Sequence, residues 1–266
     1  MGHTDDANAR WAAMLARWSI PDDLVAAAPQ SPYFFDPKVF ILAADAALAR
    51  DEDTPSDAAA RVVLPPGGTV VDVGIGAGTA SLRLGAAHVV GVDTSRELLN
   101  AFVDRASRRR IRTTLIEGRW PDIAPQTPVG DVVVCHHVVY NAPDLAAFAA
   151  ALFDHAEVRV VVELTTAHPM AWMSPYWQAL HGLEQPGRPT VDDAIEVLTE
   201  LGFDVHERRW ERDVQMIGES DADHLARIAR RLCLPAARHD ELRRVLAATP
   251  PPRTRQIATL WWDRQD

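Results

Sequence analysis

The sequence predicts an α/β protein in which a mostly parallel sheet of seven strands carries helices on both faces. From residue 69 onward, short segments rich in β-branched residues alternate with helical segments, which is typical of parallel β–α–β units. The predicted strands are nearly continuous apolar runs, as expected for strands buried on both faces. The 266 residues, 47% of them hydrophobic, suffice for one large domain or two small ones.

The first part of the chain is predicted to be helical. We expect residues 1–60 to form a helical cap or lid rather than an independent domain. A helix is predicted over residues 8–28 with an interruption at Pro21, and another over residues 37–50. The second is expected to turn Val39, Phe40, Leu42 and Ala43 inward, residues 51–57 to form a polar connection, and residues 64–68 to break the chain.

Residues 61–266 are predicted to hold the sheet and its helices. Strands are predicted over residues 69–74, 88–93, 112–118, 130–139, 158–164, 203–211 and 253–264. Helices are predicted over residues 79–84, 94–107, 144–153, 191–201, 221–232 and 238–248, with Ser95 as the N-cap of the second. Residues 166–190 interrupt this rhythm with an aromatic insertion, and connections of this length often serve function.

The charge and the cysteines exclude several classes of protein. The net charge of −10 disfavours non-specific binding to nucleic acid, so the arginines at 108–110, 208, 209 and 212 are expected to face solvent. Cys135 and Cys233 lie far apart, which argues against a disulfide scaffold or a zinc module. With no predicted signal peptide and no apolar run long enough for a membrane span, we expect a cytoplasmic protein that is a monomer or a homodimer.

The segment VVDVGIGAGT at residues 70–79 predicts a ligand site behind the first strand. Its glycines at 74, 76 and 78 let the backbone approach a ligand closely, at the sheet edge where ligands of open α/β sheets bind. Asp93 ends the second strand, where a carboxylate can accept hydrogen bonds from the ribose hydroxyls of an adenosine ligand. The alternative is that Asp93 only caps the next helix.

Together, D-x-G-x-G-x-G behind the first strand and G-V-D-x-S behind the second resemble class I S-adenosylmethionine-dependent methyltransferases, over about residues 60–265. The resemblance implies a Rossmann-like sheet with an antiparallel last strand, and S-adenosyl-L-methionine as cofactor. It implies that the turn after strand three flanks the adenine, although this family often has an acidic residue where this chain has Arg-Trp. By match, the cofactor would contact Asp72, Gly74, Gly76, Gly78, Asp93, Thr94, Gly118, Arg119, Trp120 and His136.

A general base is predicted at the ends of strands four and five. His136 and His137 are adjacent, so in an extended strand they would point to opposite faces and only one could face a given pocket. Either could take a proton near neutral pH, as could Glu163. The alternatives are that the histidines are packing or hydrogen-bonding residues, and that Glu163 is a helix cap or an arginine's partner.

The aromatic insertion is a candidate wall for an acceptor pocket, because apolar, aromatic linings suit small organic molecules. A lid that covers the core explains the same residues equally well. No HxH or HExxH pattern and no suitably spaced acidic pair indicates a metal site, so we expect none. The candidate acceptor contacts are Tyr140, Asn141, His168, Trp172, Tyr176 and Trp177.

The resulting prediction is a metal-independent methyltransferase that transfers a methyl group in line to oxygen or nitrogen of a small molecule. Transfer to RNA or protein remains an alternative that the acidic charge disfavours. An NAD-dependent oxidoreductase is another, disfavoured because position 79 is Thr rather than Gly or Ala. A non-catalytic nucleotide-binding module is the third.

Overall fold

A computed structural model describes residues 6–214 and 221–264 of the chain. Within these residues, short helices precede the sheet. Asp36 caps the third of them through a hydrogen bond from the Lys38 amide, and Thr54 and Asp57 form a capping box at the fourth. These helices are α1 (Ala7–Ala16), α2 (Asp22–Ala27), α3 (Pro37–Leu48) and α4 (Pro55–Arg61).

Two details of this region differ from the sequence prediction. Helix α3 buries Ala44 and Ala47, whereas Val39 and Phe40 are 40% and 37% exposed, so the prediction that these two face inward is wrong. Helix α4 occupies part of the predicted polar connection. Its Ser56 and Asp57 are buried, which a polar sequence does not reveal.

The predicted seven-stranded sheet is confirmed, with the order β3-β2-β1-β4-β5-β7-β6. Strands β1 to β5 pair in parallel, and β7 is antiparallel to both β5 and β6. The strand order therefore changes direction at β1, which lies between β2 and β4. The strands are β1 (Thr69–Val73), β2 (His88–Asp93), β3 (Arg112–Glu117), β4 (Gly130–His136), β5 (Ala156–Thr165), β6 (His206–Asp213) and β7 (Thr254–Asp263).

Apart from a helix at residues 174–181, which lies within the aromatic insertion and was not predicted, the helices that follow β2 agree with the prediction within a few residues. Residues 79–84 form turns instead of the predicted helix, and β4 ends at His136 because His137 has φ of 60°, which no strand continues. Among the described residues, no helix is long and apolar enough to cross a bilayer. The helices are α5 (Arg96–Arg108), α6 (Leu145–Asp154), α7 (Ser174–His181), α8 (Val191–Glu200), α9 (Asp221–Arg231) and α10 (His239–Ala248).

The core divides into three apolar clusters. Alternate residues of the strands enter one cluster with α6 and α8, or another with α5, on opposite faces of the sheet. The third cluster joins α7, within the predicted insertion, to α9 and α10. The N-terminal helices contribute to all three, since Trp11 lies in the first, Leu48 packs on the second and Leu24 packs on the third.

Candidate functional site

The glycine turn follows β1 and is held against the end of β2. The amides of Gly74 and Ile75 both donate to the Val92 carbonyl, at 2.8 and 3.0 Å. Gly74 has φ of +74°, and a Cβ there would stand 2.3 Å from a methyl of Val138. At Gly76 (φ +53°) a Cβ would meet only Phe40, at 4.0 Å. Gly74 therefore permits packing on the end of β4, whereas Gly76 leaves the backbone open to a ligand.

Asp93 fixes the conformation of this turn. Its carboxylate accepts hydrogen bonds from the amides of Gly76 and Ser95, both at 2.9 Å. Ser95, not Asp93, caps α5 by accepting from the Leu98 amide. Each carboxylate oxygen keeps a second lone pair, so ribose hydroxyls can still donate to it. The neighbouring Thr94 is exposed at the same edge.

Asp72 lies beneath the turn and is 1% exposed. Neither of its carboxyl oxygens has a hydrogen-bond partner of normal geometry, and the same holds for the nearby Ser81 hydroxyl. Burial raises the pKa of Asp72 to about 7; Ser81 opposes this rise, and the charge of Asp93 adds to it. A buried carboxyl without partners fits a ligand that brings hydrogen-bond donors and positive charge, as the amino-acid end of S-adenosylmethionine would.

The turn after β3 holds the three residues expected near the adenine. Gly118 packs so closely on Ile123 that a Cβ would lie 2.3 Å from its side chain, and Arg119 is exposed. Trp120 is 7% exposed, and its indole N–H donates to the Phe148 carbonyl. The indole belongs to the first apolar cluster, so Trp120 has little surface left for the cofactor contact that the resemblance implies.

Glu163, near the end of β5, is the centre of a buried polar cluster. It is 3% exposed and accepts hydrogen bonds from the Ser56 hydroxyl at 2.7 Å and from Arg212 Nη1 at 3.0 Å. His137 Nε2 lies 2.9 Å from Glu163 Oε1, and His136 Nδ1 lies 3.9 Å from Oε2. The two histidines thus both approach Glu163, and the prediction that they point to opposite faces is wrong because His137 leaves the extended conformation.

The charges of this cluster keep Glu163 ionised. Burial by itself would raise the pKa of Glu163, but His136, His137 and Arg212 together hold it well below its usual range. Burial lowers the pKa of His136, with Glu163 opposing that shift. Ser56 was not among the predicted site residues, and Arg212 was predicted to face solvent. Alternation along β6 could have separated Arg212 from Arg209, but the sequence has no signal for Ser56.

The candidate acceptor residues do not form one wall. Tyr140 is buried and donates to the Thr165 carbonyl, while His168 stacks on Trp18 at 3.9 Å between ring centroids. Burial lowers the pKa of His168 to about 4. Tyr176 and Trp177 belong to the third apolar cluster, and Asn141 is exposed. Trp172 packs on the same cluster, with its ring centroid 5.8 Å from that of Tyr176, and it also contacts Arg255, whose Cζ is 5.7 Å from the Trp172 ring centroid.

No three His, Cys, Asp or Glu side chains within residues 6–214 and 221–264 are grouped so that they could hold a metal ion.

Comparisons with known proteins agree with this architecture. Residues 70–157 match the sequence profile of a methyltransferase domain family. No curated protein sequence matches the chain. The fold is similar to that of an S-adenosylmethionine-dependent methyltransferase from Thiobacillus denitrificans in complex with S-adenosyl-L-homocysteine, with TM-score 0.53 and 17% identity over 87% of this chain and 100% of that one.

A second solved structure extends the similarity over more of this chain. It is a cyclopropane-fatty-acyl-phospholipid synthase-like protein from Lactobacillus casei, with TM-score 0.55 and 15% identity over 96% of this chain and 99% of that one. At such identities the two structures are evidence of a shared fold. The profile match over residues 70–157 and the strand order lead to one conclusion: the chain carries a methyltransferase domain with the Rossmann-like fold, and its turn with Asp93 is compatible with S-adenosylmethionine.

Proposed function

We propose that this enzyme transfers the methyl group to an oxygen or nitrogen atom of a small-molecule acceptor in the cytoplasm, as a monomer or homodimer and without a metal ion. The observation that carries the proposal is the pair formed by His137 and Glu163 beside the glycine turn. Val138, the residue after His137, fills the space above Gly74. The pair therefore adjoins the turn that would hold the cofactor.

His137 is suited to act as the general base, with Glu163 as its positioning residue. In the tautomer with a proton on Nε2, His137 donates to Glu163 and keeps Nδ1 free to accept a proton from the acceptor, and Arg212 Nη2, 3.0 Å from Nε2, must then direct its N–H groups elsewhere. Nδ1 has no hydrogen-bond partner among the described residues, and the His137 side chain is 35% exposed. Glu163 is a weak base because its pKa is low, and Arg212 helps to keep it charged.

The remaining residues of the cluster support binding and orientation. His136 is more deeply buried than His137, and its Nε2 has no partner, so we assign it to the cofactor side of the site. Asp72 and Asp93 would bind the amino-acid end and the ribose, with Gly76 providing close approach. Thr94, Gly118 and Arg119 would border the ribose and the adenine.

Bound S-adenosylmethionine supplies an electrophilic methyl group on a sulfonium. The acceptor's lone pair forms the new bond to carbon, the carbon–sulfur electron pair stays on sulfur, and the acceptor's proton passes to His137 Nδ1. The protein mainly aligns the acceptor, removes the proton and excludes water. Buried Ser56, which donates to Glu163, leaves water little room behind the pair.

The experiment is a methyl-transfer assay with labelled S-adenosylmethionine against a panel of small hydroxyl and amine compounds. For an acceptor that the wild type methylates, His137→Gln should lower kcat by about 10²–10⁴-fold, the usual contribution of a general base. Glu163→Gln should lower kcat less, because it removes the carboxylate that orients His137 and leaves the base itself in place. Both variants should keep their affinity for S-adenosylhomocysteine, and EDTA should not change the wild-type rate.

His206→Gln is the matched control, since His206 lies on β6 with half its side chain exposed and stacks on Trp261. It should keep the wild-type rate. If kcat of His137→Gln were within threefold of the wild-type value, His137 would not be the general base. Methylation of RNA or protein, with no small molecule accepted, would replace the proposed acceptor class. That alternative has less support because the chain carries a net charge of −10.

A further inference from the structure

Two arginines face each other beyond the carboxyl end of β5. Arg212 on β6 and Arg255 on β7 are directly paired in the antiparallel ladder. They share the face of the sheet that carries Glu163 and Thr259, since Glu163 pairs with Thr259 and the side chains of β7 alternate. Cross-strand partners place their Cβ atoms about 5 Å apart, so two positive charges are held close together at this edge.

Arg255 lacks a counter-charge among the described residues. Its Nε is buried and has no hydrogen-bond acceptor. Burial lowers the pKa of Arg255, and the charges of Arg212 and Arg227 lower it further. Arg159 and Arg105, by contrast, are paired with carboxylates, Arg159 with Asp263 and Arg105 with Asp45. Arg212 has Glu163, so Arg255 is the arginine of this pair whose charge is not offset.

The indole of Trp172 adds a second unused donor at the same place. Its Nε1 is also buried without an acceptor, and Arg255 lies over the ring at 5.7 Å. Buried donors without partners are costly and rare, because each has lost its hydrogen bond to water. A ligand with negatively charged oxygen atoms would satisfy both donors and neutralise Arg255.

The two donors lie near the proposed base. Arg212 Nη2 is 3.0 Å from His137 Nε2, and Arg212 is the cross-strand partner of Arg255. A molecule bound at Arg255 is therefore separated from His137 by the width of about one side chain. An acceptor that binds at Arg255 and reacts at His137 must therefore span the Arg212 side chain.

We propose that the methyl acceptor is an organic acid whose carboxylate binds Arg255 and the Trp172 indole N–H. The methyl group then goes to a separate hydroxyl or amine of the acceptor, which the carboxylate directs towards His137. This inference rests on the proposed function, because it names the class of acceptor for the same site. A planar carboxylate matches the parallel N–H donors of a guanidinium better than a neutral amide does.

The test is binding of benzoate and of its neutral analogue benzamide to the protein saturated with S-adenosylhomocysteine, followed by ligand-observed NMR. Benzoate should bind about tenfold or more tightly than benzamide, as expected for a charge-assisted hydrogen bond. Arg255→Gln should abolish that preference. Arg208→Gln, an exposed arginine on the same face of β6, should leave it unchanged.

Thermal unfolding gives a second readout, both without ligand and with benzoate. Because Arg255 is buried without a counter-charge, Arg255→Gln should melt no lower than the wild type when no ligand is present. Benzoate should raise the melting temperature of the wild type but not that of Arg255→Gln. Equal affinities for benzoate and benzamide, or a preference that survives in Arg255→Gln, would overturn the inference. Inorganic phosphate binding more tightly than benzoate would overturn the choice of a carboxylate.

The binding test separates this inference from the proposed function. His137→Gln removes the proposed base but leaves Arg255 and Trp172 in place, so it should bind benzoate like the wild type. If the preference for benzoate is found but no organic acid is methylated, the anion site stands and the proposed function fails. If methyl transfer is found with neutral acceptors and no preference exists, the proposed function stands and this inference fails.

Discussion

At the scale of single residues, the buried carboxylate of Asp72 destabilises the protein without ligand, and a bound cofactor would offset that destabilisation. Its pKa of about 7 in the folded protein lies above the usual 3.8. A raised pKa means that folding is favoured most below pH 3.8, where both states are protonated, and that this advantage is lost as the pH rises to about 7. A positive group bound near Asp72 would lower the pKa of its carboxyl, which would then lose its proton.

Asp72→Asn should therefore stabilise the protein without ligand and weaken cofactor binding. The gain in unfolding free energy should grow between pH 5 and pH 8 and reach at most about 4 kcal/mol, from 1.36 kcal/mol per pH unit. Urea unfolding at the two pH values, with S-adenosylmethionine titration, measures both effects. Asp104→Asn, at an exposed position of α5, is the control. A variant that is less stable at pH 8 would show that Asp72 is needed as a carboxylate for folding.

Single residues also mark where sequence reasoning stops. Asp93 could be predicted because a carboxylate at the end of a strand, at a fixed distance from glycines, has a recognisable role. The shared contact of His136 and His137 with Glu163 could not, because it depends on a positive φ at a residue type that rarely adopts it. Arg255 could not be recognised either, since its lack of a partner is a property of packing.

At the scale of elements, α3 lies over the glycine turn. Phe40 is 37% exposed, and its ring lies 4.0 Å from the position of a Cβ on Gly76. A cofactor held by this turn would cover more of the ring. Phe40→Ala should weaken binding of S-adenosylhomocysteine about fivefold, which corresponds to about 1 kcal/mol for burial of part of a phenylalanine side chain.

The same substitution should change the stability of the unliganded protein little, because much of the ring is already in water. Calorimetric titration and thermal melting together measure both effects. Val39→Ala is the control on the same helix, since Val39 is 40% exposed. An unchanged affinity of Phe40→Ala for S-adenosylhomocysteine would show that α3 does not cover the bound cofactor.

A helix or strand could be predicted where the local sequence pattern determines it. Strong amphipathic periodicity and a Ser95 cap predict α5 correctly. Residues 79–84 have helix-forming composition, yet they form turns, and Leu82 and Phe102 lie close to Gly78. Helix α4 was missed because it is short and polar, and its capping box could have been found at Thr54 and Asp57.

At the scale of the whole molecule, the sheet topology could be predicted and the third apolar cluster could not. Alternating strands and helices restrict the sheet to few arrangements, and the resemblance selects one of them. The cluster of α7, α9 and α10 depends on contacts between segments about 50 residues apart, which no local pattern encodes. The predicted aromatic insertion therefore provides mainly core residues, with Trp172 at the proposed acceptor site.

The N-terminal helices are expected to fold together with the sheet rather than as a separate domain. Trp11 is fully buried in the first apolar cluster, stacks on Tyr140 at 5.5 Å and donates its indole N–H to the Ala142 carbonyl. Trp11→Ala should cost about 3–5 kcal/mol and lower the melting temperature by roughly 6–20 °C. Differential scanning calorimetry should show one transition in both proteins, shifted as a whole by the substitution. Two transitions, with the larger one unchanged in Trp11→Ala, would instead mean that the N-terminal helices unfold independently of the sheet.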